Sequence, residues 1–268
     1  MNYLDRLLKT YRDKDGWTKV RTPDLEHLNS SIYFDYKGFS DLAEYVSGRN
    51  FGNELKEASH GLSCVIAYRN IYQLEINERG EDDIATLAKM FIVCRFANSI
   101  YATMRLASIG LILDGISCFK TAFEALQYGR LISLKPEQAS TFMDVEKSLR
   151  PVEVRKELKK LGHNADIARK QYSMLSNFSH VGGTGETLTM ESIEGNVAFK
   201  IGGYVDPPLQ KQLIMDCHKA CGEFIAFTIG IRHENVDEYH RTIKAWIAEG
   251  LPQEEILRRT QNLIQKMR

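Results

Sequence analysis

Apolar residues recur three to four positions apart through most of the chain, which is the spacing of one face of an α-helix. The pattern is strongest at residues 82–108 and 111–134. It also predicts shorter helices at 3–12, 39–46, 55–74, 137–149, 152–161, 165–180, 209–231, 237–248 and 253–267. We therefore expect a mainly α protein, built as a helical bundle.

Glycine and proline mark the ends of these helices. We expect the segment from Gly48 to Gly52 to separate two N-terminal helices, because glycine is unfavourable inside a helix. Proline costs no hydrogen bond in the first helical turn, so it favours helix starts. All six prolines fit such starts: Pro23, Pro136, Pro151, Pro207, Pro208 and Pro252.

One segment departs from the helical pattern. Residues 187–192 and 196–204 alternate between apolar and polar, and they flank a turn that contains Gly195. This pattern predicts a β-hairpin. Because an isolated hairpin is only marginally stable, we expect it to pack on the helices.

Composition and charge restrict the class of protein. Lys and Arg number 35 and Asp and Glu number 35, so the net charge is zero. A generally basic nucleic-acid binder is thereby excluded, whereas a local basic patch is not. The first residues lack the apolar segment of a secretory signal, and charges interrupt the most apolar region, residues 91–123. With five scattered cysteines, we expect a cytoplasmic protein without structural disulfides or membrane partner.

A polar stripe runs along the helix predicted at 111–134. Its members are three or four residues apart and so share one side of the helix: Asp114, Ser117, Lys120, Glu124 and Gln127. Polar groups on so apolar a helix cost free energy unless they are paired, and Lys120 and Glu124 are spaced to pair. The stripe is either a solvent-facing side of a half-buried helix or one wall of a polar cleft.

A second set of polar residues ends the helix predicted at 165–180. Tyr172, Ser176 and His180 are four residues apart and share a face. His180 would stand in the last turn, where the helix dipole favours a protonated imidazole. It is either a C-terminal capping residue or a general base or RNA-contacting group. The sequence marks no orienting residue or oxyanion loop for a Ser176–His180 nucleophile pair.

Three cysteine and histidine positions have the spacing of metal ligands. Cys217, His218 and Cys221 lie on one apolar helix, but structural zinc needs four ligands and no further ligand is marked. We therefore predict no metal site and no cofactor. A solvated helix face is the favoured interpretation of three further residues: His233, Asp237 and His240.

Two sequence segments resemble a known family. FKTAFEALQYGRLISLKPEQASTFMD, residues 119–144, and YSMLSNFSHVGG, residues 172–183, are similar to a bacterial family of unknown function that itself resembles the HEPN superfamily of helical bundles. Members show Arg/Lys-x-x-x-Glu on a helix, a Pro-Glu that opens the next helix, and Tyr-x-x-Leu-Ser-x-x-x-His before a hairpin. The resemblance covers roughly residues 82–231. It marks Lys120, Glu124, Tyr172, Ser176 and His180.

HEPN proteins are often dimeric RNases of toxin and phage-defence systems. The resemblance therefore implies an RNA-binding protein or a metal-independent RNase, with His180, Glu124 and Lys120 as catalytic residues and Tyr172, Ser176 and Asp114 as binding residues. The HEPN histidine follows an arginine by four to six residues, and no arginine stands at that distance before His180. This departure favours the alternative, a non-catalytic helical module that binds a partner protein or a small ligand. Duplex DNA is not an expected partner.

These observations divide the chain into three predicted parts. Residues 1–80 are predicted as an N-terminal helical segment, residues 81–232 as a HEPN-like core that carries the hairpin at 187–204, and residues 233–268 as a C-terminal helical pair. We also expect a homodimer, because a monomer would struggle to cover the apolar helices at 82–108 and 209–231.

Overall fold

A computed structural model describes residues 28–79, 83–144, 149–179, 190–193, 196–199 and 207–267. This part of the chain is mainly helical, as the apolar spacing predicted. Its α-helices are α1 (Leu28–Arg79), α2 (Ile84–Ser108), α3 (Ile112–Leu134), α4 (Gln138–Met143), α5 (Pro151–Lys160), α6 (Ala165–Ser179), α7 (Pro207–Phe224), α8 (Val236–Ala248) and α9 (Gln253–Met267). The helix predicted at residues 3–12 lies outside the described residues.

Helix α1 is one continuous helix of 52 residues, so the predicted break between Gly48 and Gly52 is wrong. Glycine costs about 1 kcal/mol in a helix interior relative to alanine. That cost is offset because the same turns bury Phe51, which is 2% exposed, and Ser47. A Cβ atom added at either glycine would meet nothing within 4 Å, so neither glycine is needed for close packing.

The other helix boundaries follow the prolines. Pro151 and Pro207 are the first residues of α5 and α7, and Pro252 directly precedes α9, which confirms their predicted place at helix starts. Helix α4 is shorter than predicted. Helix α7 continues as a π-helical segment, Ile225–Ile229, and ends at Gly230, whose φ of 79° lies in the left-handed region.

Two short strands follow α6. Strand β1 (Met190–Ile193) pairs antiparallel with β2 (Asn196–Phe199), with Met190 opposite Phe199 and Ile193 opposite Asn196. The two residues between the strands lie outside the described residues. The hairpin predicted at 187–204 and its packing on the helices therefore stay predictions.

Helix α3 lies at the centre of the bundle and contacts α2, α5, α6 and α7. The rings of Phe96 on α2 and Phe224 on α7 stack with their centres 4.2 Å apart, and both side chains are fully buried. Helices α8 and α9 pack on α1 and add Tyr239 and Ile264 to the same apolar core. The core therefore extends from α1 to the C-terminal helices.

Helix α2 is the one helix in the described ranges that is long and apolar enough to cross a membrane, judged by length and composition. It contacts α1, α3 and α7, and it buries Ile92, Phe96 and Ile100 among them. This placement is compatible with the core helix of a soluble protein.

Candidate functional site

Four of the residues that the sequence marked meet where α6 packs on α3. The Lys120 ammonium group donates a hydrogen bond to the Ser176 hydroxyl at 3.2 Å. Its nitrogen also lies 5.1 Å from the centre of the Tyr172 ring. The Glu124 carboxylate lies near the Tyr172 phenol and raises its pKa. These four residues and Arg155 form what we call the Tyr172 cluster.

Arg155 joins this cluster from α5, and sequence reasoning missed it. The central carbon of its guanidinium lies 4.2 Å from the centre of the Tyr172 ring, within the range of a cation–π contact. The only signal in the sequence was the basic character of residues 150–160. Three helices therefore supply the five side chains.

Helical spacing explains why the cluster forms. Lys120 and Glu124 are four residues apart on α3, and Tyr172 and Ser176 are four apart on α6, so each pair points to the same side of its helix. Leu175, between the two α6 residues, is buried in the core. Its burial holds α6 against α3 and brings the two pairs together.

The environment of Tyr172 decides what this phenol can do. The pKa of the phenol is raised above its ordinary value, first by burial and then by the interaction with Glu124, while Arg155 acts in the opposite direction. The phenol therefore stays protonated at physiological pH. It serves as a hydrogen-bond donor and not as a base.

The chain around Arg155 carries an excess of positive charge. The carboxylates of this region are already paired: Glu153 with Arg150, Glu157 with Lys135 and Lys160, and Asp166 with Arg169. Three further lysines are exposed and make no ion pair with another described residue: Lys156, Lys159 and Lys170. We call α5 and the first turns of α6, with these lysines, the basic face.

The remaining predicted site residues do not join the cluster in the described part of the chain. Asp114 is exposed near the start of α3, and its charge acts on Cys118, whose pKa is raised by burial and then by Asp114. His180 lies outside the described residues. On the polar stripe, Ser117 donates to the Leu113 carbonyl of its own helix, and Gln127 is buried.

A second polar site lies between α1, α7 and α8. It is a cavity of about 420 Å³, and we call it the histidine pocket. Its lining residues are Glu57, His60, His218, Asp237, His240, Arg241 and Lys244. Sequence reasoning missed this pocket as a unit, although His218, Asp237 and His240 had each drawn attention.

His240 is a correction to the predicted solvated helix face, because it is only 7% exposed. Burial, followed by the charges of His60 and His218, lowers its pKa to about 4, so its ring is neutral at physiological pH. The neighbouring thiols of Cys217 and Cys221 are buried, and burial raises the pKa of each. Both thiols therefore stay protonated at physiological pH.

The Tyr172 cluster offers two cations, a hydroxyl and a protonated phenol, which together suit a ligand rich in oxyanions. Comparison of the chain with protein-family models, with curated proteins and with solved structures finds no match.

Proposed function

We propose that the chain binds single-stranded RNA through the Tyr172 cluster and the adjoining basic face. The observation that carries this proposal is the position of two cations, Lys120 and Arg155, which come from different helices and are both held against the Tyr172 ring. Ordered cations lose little side-chain entropy when a phosphate binds, so they contribute more to affinity than mobile ones.

Both cations keep donors for a ligand. An ammonium group has three N–H donors, and Lys120 uses one of them on Ser176. A guanidinium that lies over an aromatic ring keeps its N–H edge for a phosphate, which it binds with two parallel hydrogen bonds. Glu124, the carboxylate of the cluster, lies near the Tyr172 phenol, which keeps its proton.

Phosphate contacts of this kind supply affinity without base specificity. The net charge of the chain is zero, so the attraction for RNA comes from the small cationic patch. We therefore expect moderate binding that weakens strongly as the salt concentration rises. The resemblance noted for roughly residues 82–231 supports RNA as the polyanion, and we propose a HEPN-like arrangement of the bundle on the same ground. Cleavage of that RNA would need His180 as the general base, and this step stays a prediction.

Fluorescence anisotropy with a labelled single-stranded RNA of about 20 nucleotides tests the proposal. We expect binding whose logarithmic affinity falls linearly with the logarithm of the salt concentration, and each of Lys120→Ala and Arg155→Ala should reduce that slope by about 0.7. The matched control is Lys219→Ala, which removes an exposed lysine on α7. It should leave the affinity within about twofold of wild type.

Two results would overturn RNA binding at this site: no anisotropy change at low salt, or cluster variants that bind as tightly as the control. The same RNA run on a denaturing gel separates binding from catalysis. Cleavage that survives a chelator and disappears in His180→Ala, with binding retained, would add a metal-independent RNase activity. Intact RNA in every lane would leave a binding module.

A further inference from the structure

The histidine pocket lies where the C-terminal helical pair, α8 and α9, meets the rest of the bundle. The ring centres of His60 and His240 are 5.7 Å apart, and those of His218 and His240 are 6.1 Å apart. We propose that protonation of His240 releases α8 and α9 from α1, so that acid opens this contact. The Tyr172 cluster lies on α3, α5 and α6, so the opening is independent of RNA binding.

Helices α8 and α9 are bonded to each other at their ends. The backbone N–H of Arg232 and the side-chain amide of Asn235, which precede α8, both donate to the Met267 carbonyl at the end of α9, each at 3.1 Å. Gly230, whose φ lies in the left-handed region, separates this pair from α7. Hinges are a few residues at the end of an element. The pair can therefore move as one unit about the turn at Gly230.

Polar contacts beside the His240 ring join α8 to α1. His60 Nε2 lies 2.7 Å from the His240 carbonyl oxygen, and a carbonyl only accepts, so this nitrogen carries the proton and donates it. The Tyr239 hydroxyl donates to the Cys64 carbonyl at 3.4 Å. A charge on the His240 ring therefore acts at the place where α8 is held to α1.

The surroundings of the His240 ring disfavour its charged form. An imidazolium carries a proton on both nitrogens, so protonated His240 must place an N–H at Nε2. That atom is buried and has no hydrogen-bond partner among the described residues, and the whole side chain is 7% exposed. A buried charge whose N–H lacks an acceptor is strongly unfavourable. Movement of α8 away from α1 lets water reach the ring and removes this cost.

Charged and titratable side chains surround the His240 ring on all three helices of the pocket. They are Glu57, His60, His218, Asp237, Arg241 and Lys244. Burial first, and then the charges of His60 and His218, lower the pKa of His240 to about 4, and the two carboxylates only partly oppose this shift. Helix α8 is therefore docked with a neutral His240.

The other groups around the ring do not offset this effect. Arg241 and Lys244 are cations, which disfavour a further positive charge nearby. Glu57 is paired with Lys244 at 3.5 Å. The Tyr239 phenol and the Cys64 thiol add no charge at physiological pH, because burial raises the pKa of both. The pocket as a whole therefore favours the neutral ring.

The lowered pKa determines the direction of the pH dependence. The ordinary pKa of histidine is 6.5, and His240 regains this value once water reaches its ring. Since the docked state binds the proton less tightly than the open state, docking is most stable above about pH 7 and weakens as the pH falls toward about 4. The equilibrium constant for opening should therefore rise about 30-fold between about pH 7.5 and about pH 5.

Hydrogen exchange of the full chain, measured by mass spectrometry at about pH 7.5 and about pH 5 and corrected for the intrinsic exchange rate, tests this opening. We expect amide protection in α8 and α9 to fall about 30-fold, while protection in α3 changes by less than about threefold. His240→Gln does not titrate in this range, so its α8 protection should change little with pH. The ratio between the two pH values does not depend on the variant's overall stability. His163→Gln removes a histidine outside the pocket and should keep the wild-type ratio.

An NMR titration of the histidine ring signals gives a second measurement, which needs no variant. The signal of His240, assigned through its neighbouring Tyr239 ring at a centre distance of 6.3 Å, should titrate near pH 4. Titration of His240 near pH 6.5 would overturn the proposal. So would an equal loss of protection in α8 and α3, or a pH dependence of α8 that persists in a folded His240→Gln variant.

Discussion

The ammonium nitrogen of Lys120 lies 3.2 Å from the hydroxyl oxygen of Ser176, although 56 residues separate them in sequence. This contact joins α3 to α6 and orients the lysine beside the Tyr172 ring. The same lysine thus has a structural contact and a proposed role in RNA binding. Two substitutions separate these roles.

Ser176→Ala removes the acceptor and keeps the Lys120 charge. We expect the free energy of unfolding to fall by about 1 kcal/mol, the typical net value of one hydrogen bond, while RNA affinity stays within about threefold of wild type. Lys120→Met removes the charge and keeps most of the chain length, so RNA affinity should fall more strongly. Denaturant unfolding and anisotropy measure the two quantities. Equal loss of RNA affinity in both variants would contradict this separation.

Gly129 on α3 marks the closest approach to the π-helical segment of α7. A Cβ atom there would lie 2.6 Å from the Thr228 hydroxyl and 3.2 Å from Ile92 Cγ2. Gly129→Ala should therefore lower the free energy of unfolding by about 1–3 kcal/mol, the usual cost of overpacking. Gly48→Ala is the matched control, because Gly48 is exposed on α1 and has open space around it.

Gly48→Ala should raise stability by about 0.5–1 kcal/mol, since alanine is the better helix former. Urea unfolding of both variants gives the comparison. The same sign of change in the two variants would refute the packing argument for Gly129, and destabilisation by Gly48→Ala would argue against a continuous α1.

Gln210 ties α7 to the interior of α1 and to the last turn of α2. Its fully buried amide donates to the Ala107 carbonyl at 2.7 Å and to the Ser47 hydroxyl at 3.2 Å. Ser47 in turn donates to the Ser108 carbonyl at 3.0 Å. Gln210→Ala removes the amide donor from both buried acceptors and opens a cavity, so we expect a loss of about 2–4 kcal/mol.

Gln212→Ala provides the control for Gln210, because Gln212 is exposed and bonds only to Asp216 among the described residues. Its effect should stay within about 0.5 kcal/mol. Chemical unfolding measures both variants. A similar small change for the two would show that the buried network contributes little.

The outer side of α2 is the surface that we expect to form a homodimer. Ile84 and Phe91 are seven residues apart on this side, and Phe91 and Tyr101 are 52% and 64% exposed. Tyr101 borders a groove of about 320 Å³ between α1 and α2, which Ile66 also lines. Large exposed apolar residues of this kind are typical of subunit interfaces.

Light scattering should give about twice the chain mass of 30.6 kDa at micromolar concentration. Phe91→Ser/Tyr101→Ser should shift the protein to monomer, because it removes apolar area from both sides of a two-fold interface. Ile247→Ser, on the exposed side of α8, is the control and should remain dimeric. A wild-type mass of 30.6 kDa across this range would disprove the dimer.

Local features of the sequence determined most of the helices and part of the site. Apolar residues that recur every three to four positions predict α2, α3 and α9, because one side of each of these helices faces the core. The pairs Lys120 with Glu124 and Tyr172 with Ser176 were recognisable for the same reason, since residues four apart share a face. Proline positions marked helix starts because the ring's fixed φ matches the first turn.

Tertiary packing decided the rest. Helix α1 continues through Gly48 and Gly52 because burial of Phe51 offsets the helix cost of glycine, and this energy depends on partners elsewhere in the chain. Arg155 reaches Tyr172, and His60 reaches the carbonyl of His240 across 180 residues. Contacts between distant residues leave no period in a sequence, so neither the third helix of the Tyr172 cluster nor the histidine pocket could be predicted from it.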